Sequence, residues 1–171
     1  YSCERGFVNC CTDNQTMGVQ RDGAFCEYIS MPVERIYEGK GLSAEELALI
    51  EPFSISQHAV SRCEIKETDN VLVIGAGPIG LFALLAAKAK SKNVVVADIL
   101  DNRLDLAKEY GAAAVVNTKA ESLEEFTNKF TDGKGFDVCI EACGAPETFL
   151  GCIDSCAFAG NIVLIGNGKR E

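Results

Sequence analysis

The chain has 171 residues, 47% of them hydrophobic, with a formal net charge of −9. That length and apolar share suit one domain plus part of another around a real core. The acidic balance argues against a nucleic-acid-binding surface and against an anionic membrane surface.

Nine cysteines without a secretory signal read as reduced thiols or metal ligands in a cytoplasmic setting, not as a disulfide frame. The chain starts at Tyr1 rather than Met and stops at Lys169-Arg170-Glu171 directly after a strand pattern. Both ends read as cut, so a piece of a longer protein is expected. Residues 1–11 form a cysteine- and glycine-bearing loop, and 12–42 hold short extended pieces, with Phe25-Cys26-Glu27-Tyr28-Ile29 alternating like a strand. Ser43-Ala44-Glu45-Glu46 is a capping box opening a helix through Ile50. Pro52 is expected to end that helix, with a second one over about 54–63.

From residue 71 onward, strand and helix patterns alternate. Strands are expected near 71–75, 94–98, 113–117, 136–141 and 161–166, with helices near 79–90, 101–109, 120–130 and 146–157. Thr118-Lys119-Ala120-Glu121 reads as a capping box for the third of these helices. Near-continuous apolar strands between helices predict an α/β fold with a doubly wound parallel sheet. Residues 71–87 carry no charge, but three glycines and Pro78 make strand, turn and helix the better reading than a membrane span. Ligands in such sheets lie beyond the carboxyl ends of the strands, here near Gly75–Gly80, Asp98, Ala142–Gly144 and Gly166–Gly168.

Val71-Leu72-Val73-Ile74-Gly75-Ala76-Gly77-Pro78-Ile79-Gly80 has the order a dinucleotide requires. Gly75 permits the tight turn, Gly77 lets a pyrophosphate approach the backbone, and Gly80 allows helix and strand to pack closely. Free N–H groups of the opening turn of the helix that starts at Pro78 then face the phosphates. Eighteen residues after Gly80, Val94-Val95-Val96-Ala97 ends in Asp98. A carboxylate there accepts bonds from a ribose diol and repels a 2′-phosphate; Ile99 follows rather than a neutralising arginine, so NAD is favoured over NADP. Arg103 either lies against the adenine face or is a solvated residue paired with a nearby acid. A methyltransferase site would place its third glycine one residue earlier, where Ile79 stands.

The other candidate groups are cysteines, one histidine and one acid. Cys3 and Cys11 by themselves cannot close a tetrahedral zinc site and stand equally as free surface thiols. His58 reads as a hydrogen-bonded core histidine rather than a ligand. Cys139, with Cys152 and Cys156 on one helix face, reads as small core hydrophobes. Cys143 follows the fourth strand and is a candidate for cofactor contact.

Several segments together carry a family resemblance: Cys3-x-x-Gly6-x-x-Asn9-Cys10-Cys11, Gly18 through Tyr28, Ile50-Glu51-Pro52-Phe53-Ser54-Ile55-Ser56-x-His58, and the glycine turn. The chain resembles the zinc-dependent medium-chain dehydrogenases, in the branch acting on polyols, threonine and sugar acids. The resemblance implies a partial GroES-like catalytic domain over 1–50 and a Rossmann domain over 51–171. Its sheet order would be 3-2-1-4-5, without the sixth strand. It also implies that Cys3 and Cys11 are two of four structural-zinc ligands, that Glu51 contributes to the catalytic zinc, and that Ser54 and Ile55 line the nicotinamide pocket. Glu51 alone reads equally as a solvated acid at a helix start. Cofactor contacts fall to Gly75, Gly77, Pro78, Ile79, Gly80, Asp98, Arg103, Cys143 and Gly166. The implied reaction is zinc-assisted hydride transfer between NAD and a secondary alcohol of a small-molecule polyol or sugar acid, in a homo-oligomeric parent. This chain alone is expected to show no turnover. A different reading is a non-catalytic NAD-binding or redox-sensing module.

Overall fold

The computed structural model describes residues 1–168, so the terminal Lys169-Arg170-Glu171 on which the cut-end reading rests lies outside the described residues. The chain divides into two compact units, Tyr1–Gly41 and Leu42–Glu171. The sequence-based boundary at 50–51 falls inside a helix of the second unit.

The first unit is loops and three short 3-10 turns, Cys3–Arg5, Val8–Cys10 and Val33–Arg35. The strand expected at 25–29 is not formed. Met17 and Arg21 make an isolated bridge, while Phe25 and Tyr28 face outward at 110% and 91% exposure. Alternation supplies a two-sided ribbon, but a strand requires a pairing partner, and this segment has none among the described residues.

The second unit is the α/β body. Helix α1 (Ala44–Ser61) leads to β1 (Asn70–Ile74), α2 (Pro78–Lys88), β2 (Asn93–Asp98), α3 (Asp101–Glu109) and β3 (Ala114–Asn117). There follow α4 (Leu123–Phe130), β4 (Phe136–Glu141), α5 (Pro146–Ser155) and β5 (Cys156–Leu164). All strand pairs are parallel, as the repeated strand–helix pattern predicts, and the order is β3-β2-β1-β4-β5, as the family resemblance implies. The pleat sends alternate side chains to opposite faces. Val71, Val73, Val94, Val96, Val138 and Ile140 pack under α1, α2 and α3. Leu72, Ile74, Val95, Val116, Phe136 and Cys139 pack under α4 and α5.

Three boundaries differ from the sequence reading. Helix α1 runs through Pro52 without a break. A proline forfeits one helical hydrogen bond. Packing across α1 and α2 offsets that loss: Phe53 meets Phe82 edge to face at 5.6 Å, and the buried Ser56 hydroxyl donates to the Ile79 carbonyl at 2.7 Å. Helix α4 starts at Leu123, capped by Ser122, whose hydroxyl accepts from the Glu125 N–H at 3.3 Å. The Thr118 box is not used. Asn117 ends β3, its side chain accepting from the Lys119 N–H and its carbonyl from the Ala120 and Glu121 N–H groups, so 118–121 closes a turn instead. Finally, α5 passes directly into β5, and Cys156 is the first residue of a strand rather than a neighbour of Cys152 on a helix face. A bulge absorbs the extra residues: Cys156 pairs with Phe136 but Asn161 with Val138, and Ala159 takes φ 65° between them.

Candidate functional site

The second unit's site lies at the carboxyl ends of β1, β2, β4 and β5. β1 is followed by Gly75, whose φ of 107° only glycine adopts without strain, and its N–H donates to the Ala97 carbonyl at 2.7 Å. A Cβ on Gly80 would overlap the Gly75 carbonyl oxygen, and one on Gly75 would come to 2.7 Å from the Cys143 sulfur. A Cβ on Gly77 would meet nothing within 4 Å. The turn is therefore closed on its protein side at Gly75 and Gly80 and open on its outer side at Gly77. Pro78 begins α2, where its missing N–H costs nothing.

Asp98 is buried at 7% exposure and closes this turn. One oxygen accepts from the Ala76 N–H at 2.7 Å, and the other from the Ile99 and Leu100 N–H groups at 2.7 and 3.0 Å. Arg103 reaches to 3.8 Å from the same carboxylate while staying half exposed, so the structure realises its pairing with a nearby acid. The glycine turn, Asp98 and Arg103 thus form one cluster.

On the far side of β1, Glu141, Cys143, Gly144, Phe149, Leu164 and Gly166 are among the residues lining a cavity of about 790 Å³ beyond β4 and β5. The Cys143 sulfur sits 3.5 Å from the Ile74 carbonyl. Partial burial, then the negative charges of Glu141 and Asp98, push its thiol up to about 11, so it stays protonated at neutral pH. Glu141, buried and hydrogen-bonded into the cavity wall, is absent from the site residues read from the sequence. The signal was there: β4, like β2, is an apolar run that ends in an acid.

Glu51 lies on an exposed position of α1, and the exposed Ser54 turns its hydroxyl to the Glu51 carbonyl at 2.6 Å. His58, expected in the core, is also exposed on α1. The helix instead buries Ser56, Ala59 and Val60, which leaves position 58 outside. In the first unit, Cys3 and Cys11 lie within hydrogen-bonding reach of each other, and that contact raises the Cys3 thiol above its ordinary value. Among the described residues no group of three or more His, Cys, Asp and Glu gathers as a metal centre. Also among the described residues, no helix is long and apolar enough to cross a membrane.

A profile of the family described as zinc-binding dehydrogenase matches residues 78–171. The L-galactonate-5-dehydrogenase of Escherichia coli K12 is 36% identical over 170 residues, covering 99% of this chain and 50% of that protein. A zinc-binding dehydrogenase of Sinorhizobium meliloti 1021, solved bound to NADP, superposes with a TM-score of 0.92 at 30% identity, over 98% of this chain and 50% of that one. An Escherichia coli CFT073 protein described as a short chain alcohol dehydrogenase, solved with NADH, gives 0.88 at 34% identity, over 96% and 49%. The chain belongs to the zinc-binding dehydrogenase family. It spans about half the length of the curated relatives it matches.

Proposed function

We propose that this chain is the dinucleotide-binding part of an NAD- and zinc-dependent dehydrogenase. The whole protein would move a hydride between the nicotinamide and a secondary alcohol of a polyol or sugar acid. The observation that carries the reading is the glycine turn, tight at Gly75 and Gly80, open at Gly77, and clamped by Asp98 at 2.7 Å from the Ala76 N–H. These features fit a dinucleotide: the free helix-start amides take the pyrophosphate, and Asp98 takes the adenosine ribose. NAD, when bound, supplies the hydride acceptor or donor. The chain's own residues bind and orient it, with Arg103 over the adenosine side and Cys143 and Gly166 walling the nicotinamide side.

The relatives include an NADP-bound and an NADH-bound protein, so phosphate discrimination is a property of the local residues. In this chain the negative charge of Asp98 stands against a 2′-phosphate, and Arg103 is already engaged with it. The zinc ligands do not close a shell within the described residues. We assign Cys3 and Cys11 to a structural zinc and Glu51 to a catalytic one as partial ligand sets only. The cytoplasmic location and the homo-oligomer belong to the same proposal. The thiol-rich acidic composition supports the first, and an edge strand, β5, with Leu164 57% exposed supports the second.

Calorimetric titration of the chain tests the reading. NADH is expected to bind more tightly than NADPH, and S-adenosylmethionine is expected not to bind. A flat titration with NADH overturns the proposal. The chain alone is expected to oxidise no polyol with NAD, since among the described residues no group of three or more ligand side chains gathers, and measurable turnover would refute that assignment.

A further inference from the structure

Glu141 ends β4 at 2% exposure and yet lines the cavity beyond β4 and β5. One of its carboxylate oxygens accepts from the Cys143 and Gly144 N–H groups at 2.8 and 2.9 Å, and the Thr148 hydroxyl lies 2.7 Å from the same atom. Its main-chain carbonyl accepts from the Ile165 and Gly166 N–H groups at 2.8 and 3.1 Å. One residue therefore ties the 142–148 segment and the 165–166 segment, which are the two walls of the cavity. The walls meet so closely that a Cβ on Gly166 would overlap both the second Glu141 oxygen and the Gly144 nitrogen. The carboxylate therefore holds the 142–148 wall, and the main-chain carbonyl the 165–166 wall, before any ligand arrives. Ordering a loop in advance removes an entropic cost that binding would otherwise carry.

In a doubly wound sheet a dinucleotide crosses the switch point, here between β1 and β4. With its adenosine half beside Asp98, its other half falls on the cavity that Glu141 organises. We infer that Glu141 is a positioning residue for the nicotinamide half, its carboxylate acting through the 142–148 loop it holds; this rests on the dinucleotide reading above. The inference separates the two halves of the ligand, because Asp98 and the glycine turn make no bond to the Glu141 carboxylate.

The test is calorimetric titration of the whole chain with NAD⁺, NADH and ADP-ribose, the last lacking the nicotinamide ring. Glu141→Ala is expected to weaken NAD⁺ and NADH by about tenfold or more while leaving ADP-ribose within about twofold. Glu141→Gln keeps the acceptor oxygen and is expected to recover most of the loss. Should the alanine variant fail to fold, Thr148→Val removes one tether. It is then expected to weaken NAD⁺ by about threefold without affecting ADP-ribose. A parallel loss of ADP-ribose, no loss of NAD⁺, or a glutamine variant that behaves like alanine would each overturn the inference. A wild-type chain that binds neither NAD⁺ nor ADP-ribose would instead sink the dinucleotide reading itself.

Discussion

Two glycines three positions apart have opposite consequences. A methyl at Gly80 would overlap the Gly75 carbonyl, whereas a methyl at Gly77 would point into open space. Gly80→Ala is therefore expected to cost about 3 kcal/mol or more in urea unfolding. Gly77→Ala should leave stability within about 0.5 kcal/mol yet weaken NADH about tenfold, since its outer side is where the pyrophosphate would rest. Equal effects on fold and affinity at the two sites would remove the distinction. Asp98→Gly is expected to weaken NADH by about tenfold while sparing NADPH, and to lower stability by about 1–3 kcal/mol because buried N–H groups lose their acceptor. Unchanged affinity for both cofactors would end the ribose assignment. The turn and its acid were readable in the chain because glycine spacing reports local backbone needs. The Asp98 clamp on Ala76 and the Glu141 tether were not, because each joins groups that only folding brings together.

Helix α1 is the element where local rules and packing diverge most. Proline chemistry alone predicts a break at residue 52, and yet the helix is continuous. The Ser43 capping box was legible and is present, with Ser43 and Glu46 exchanging bonds at 2.8 and 3.2 Å. Ser43→Ala is expected to cost about 1 kcal/mol in denaturant unfolding. Ser56→Ala should cost about as much, because its hydroxyl is the only described polar link from α1 to the start of α2. If Ser56→Ala were neutral, the continuity of α1 through Pro52 would need another source. The start of α4 and the β5 bulge show the same limit of pattern reading. Both are decided by which neighbour claims a backbone amide, and several capping residues compete for that role in the sequence.

At the scale of the molecule, burial of thiols has a measurable pH signature. Burial pushes the Cys63 thiol from 9.0 up to about 11, and Cys143 rises to about 11 as well. Below pH 9 both folded and unfolded chains keep these protons. Between about 9 and 11 the unfolded chain releases them first, so stability falls as pH rises through that window. Urea titrations from pH 8 to 11 are expected to show a shallower decline in Cys63→Ala than in the wild type; identical slopes would contradict the burial account.

The sequence by itself determined the five parallel strands, the glycine turn and the acid after β2. These follow from hydrophobic period, connection type and backbone freedom, all written in neighbouring residues. Only the tertiary structure decided that α1 survives its proline, that His58 faces solvent, and that Glu141 holds two loops together. Those outcomes depend on contacts such as Ser56 to Ile79, 23 residues apart, or Cys143 to Ile74, 69 apart. A residue's own pattern does not name its partner across such distances; packing does.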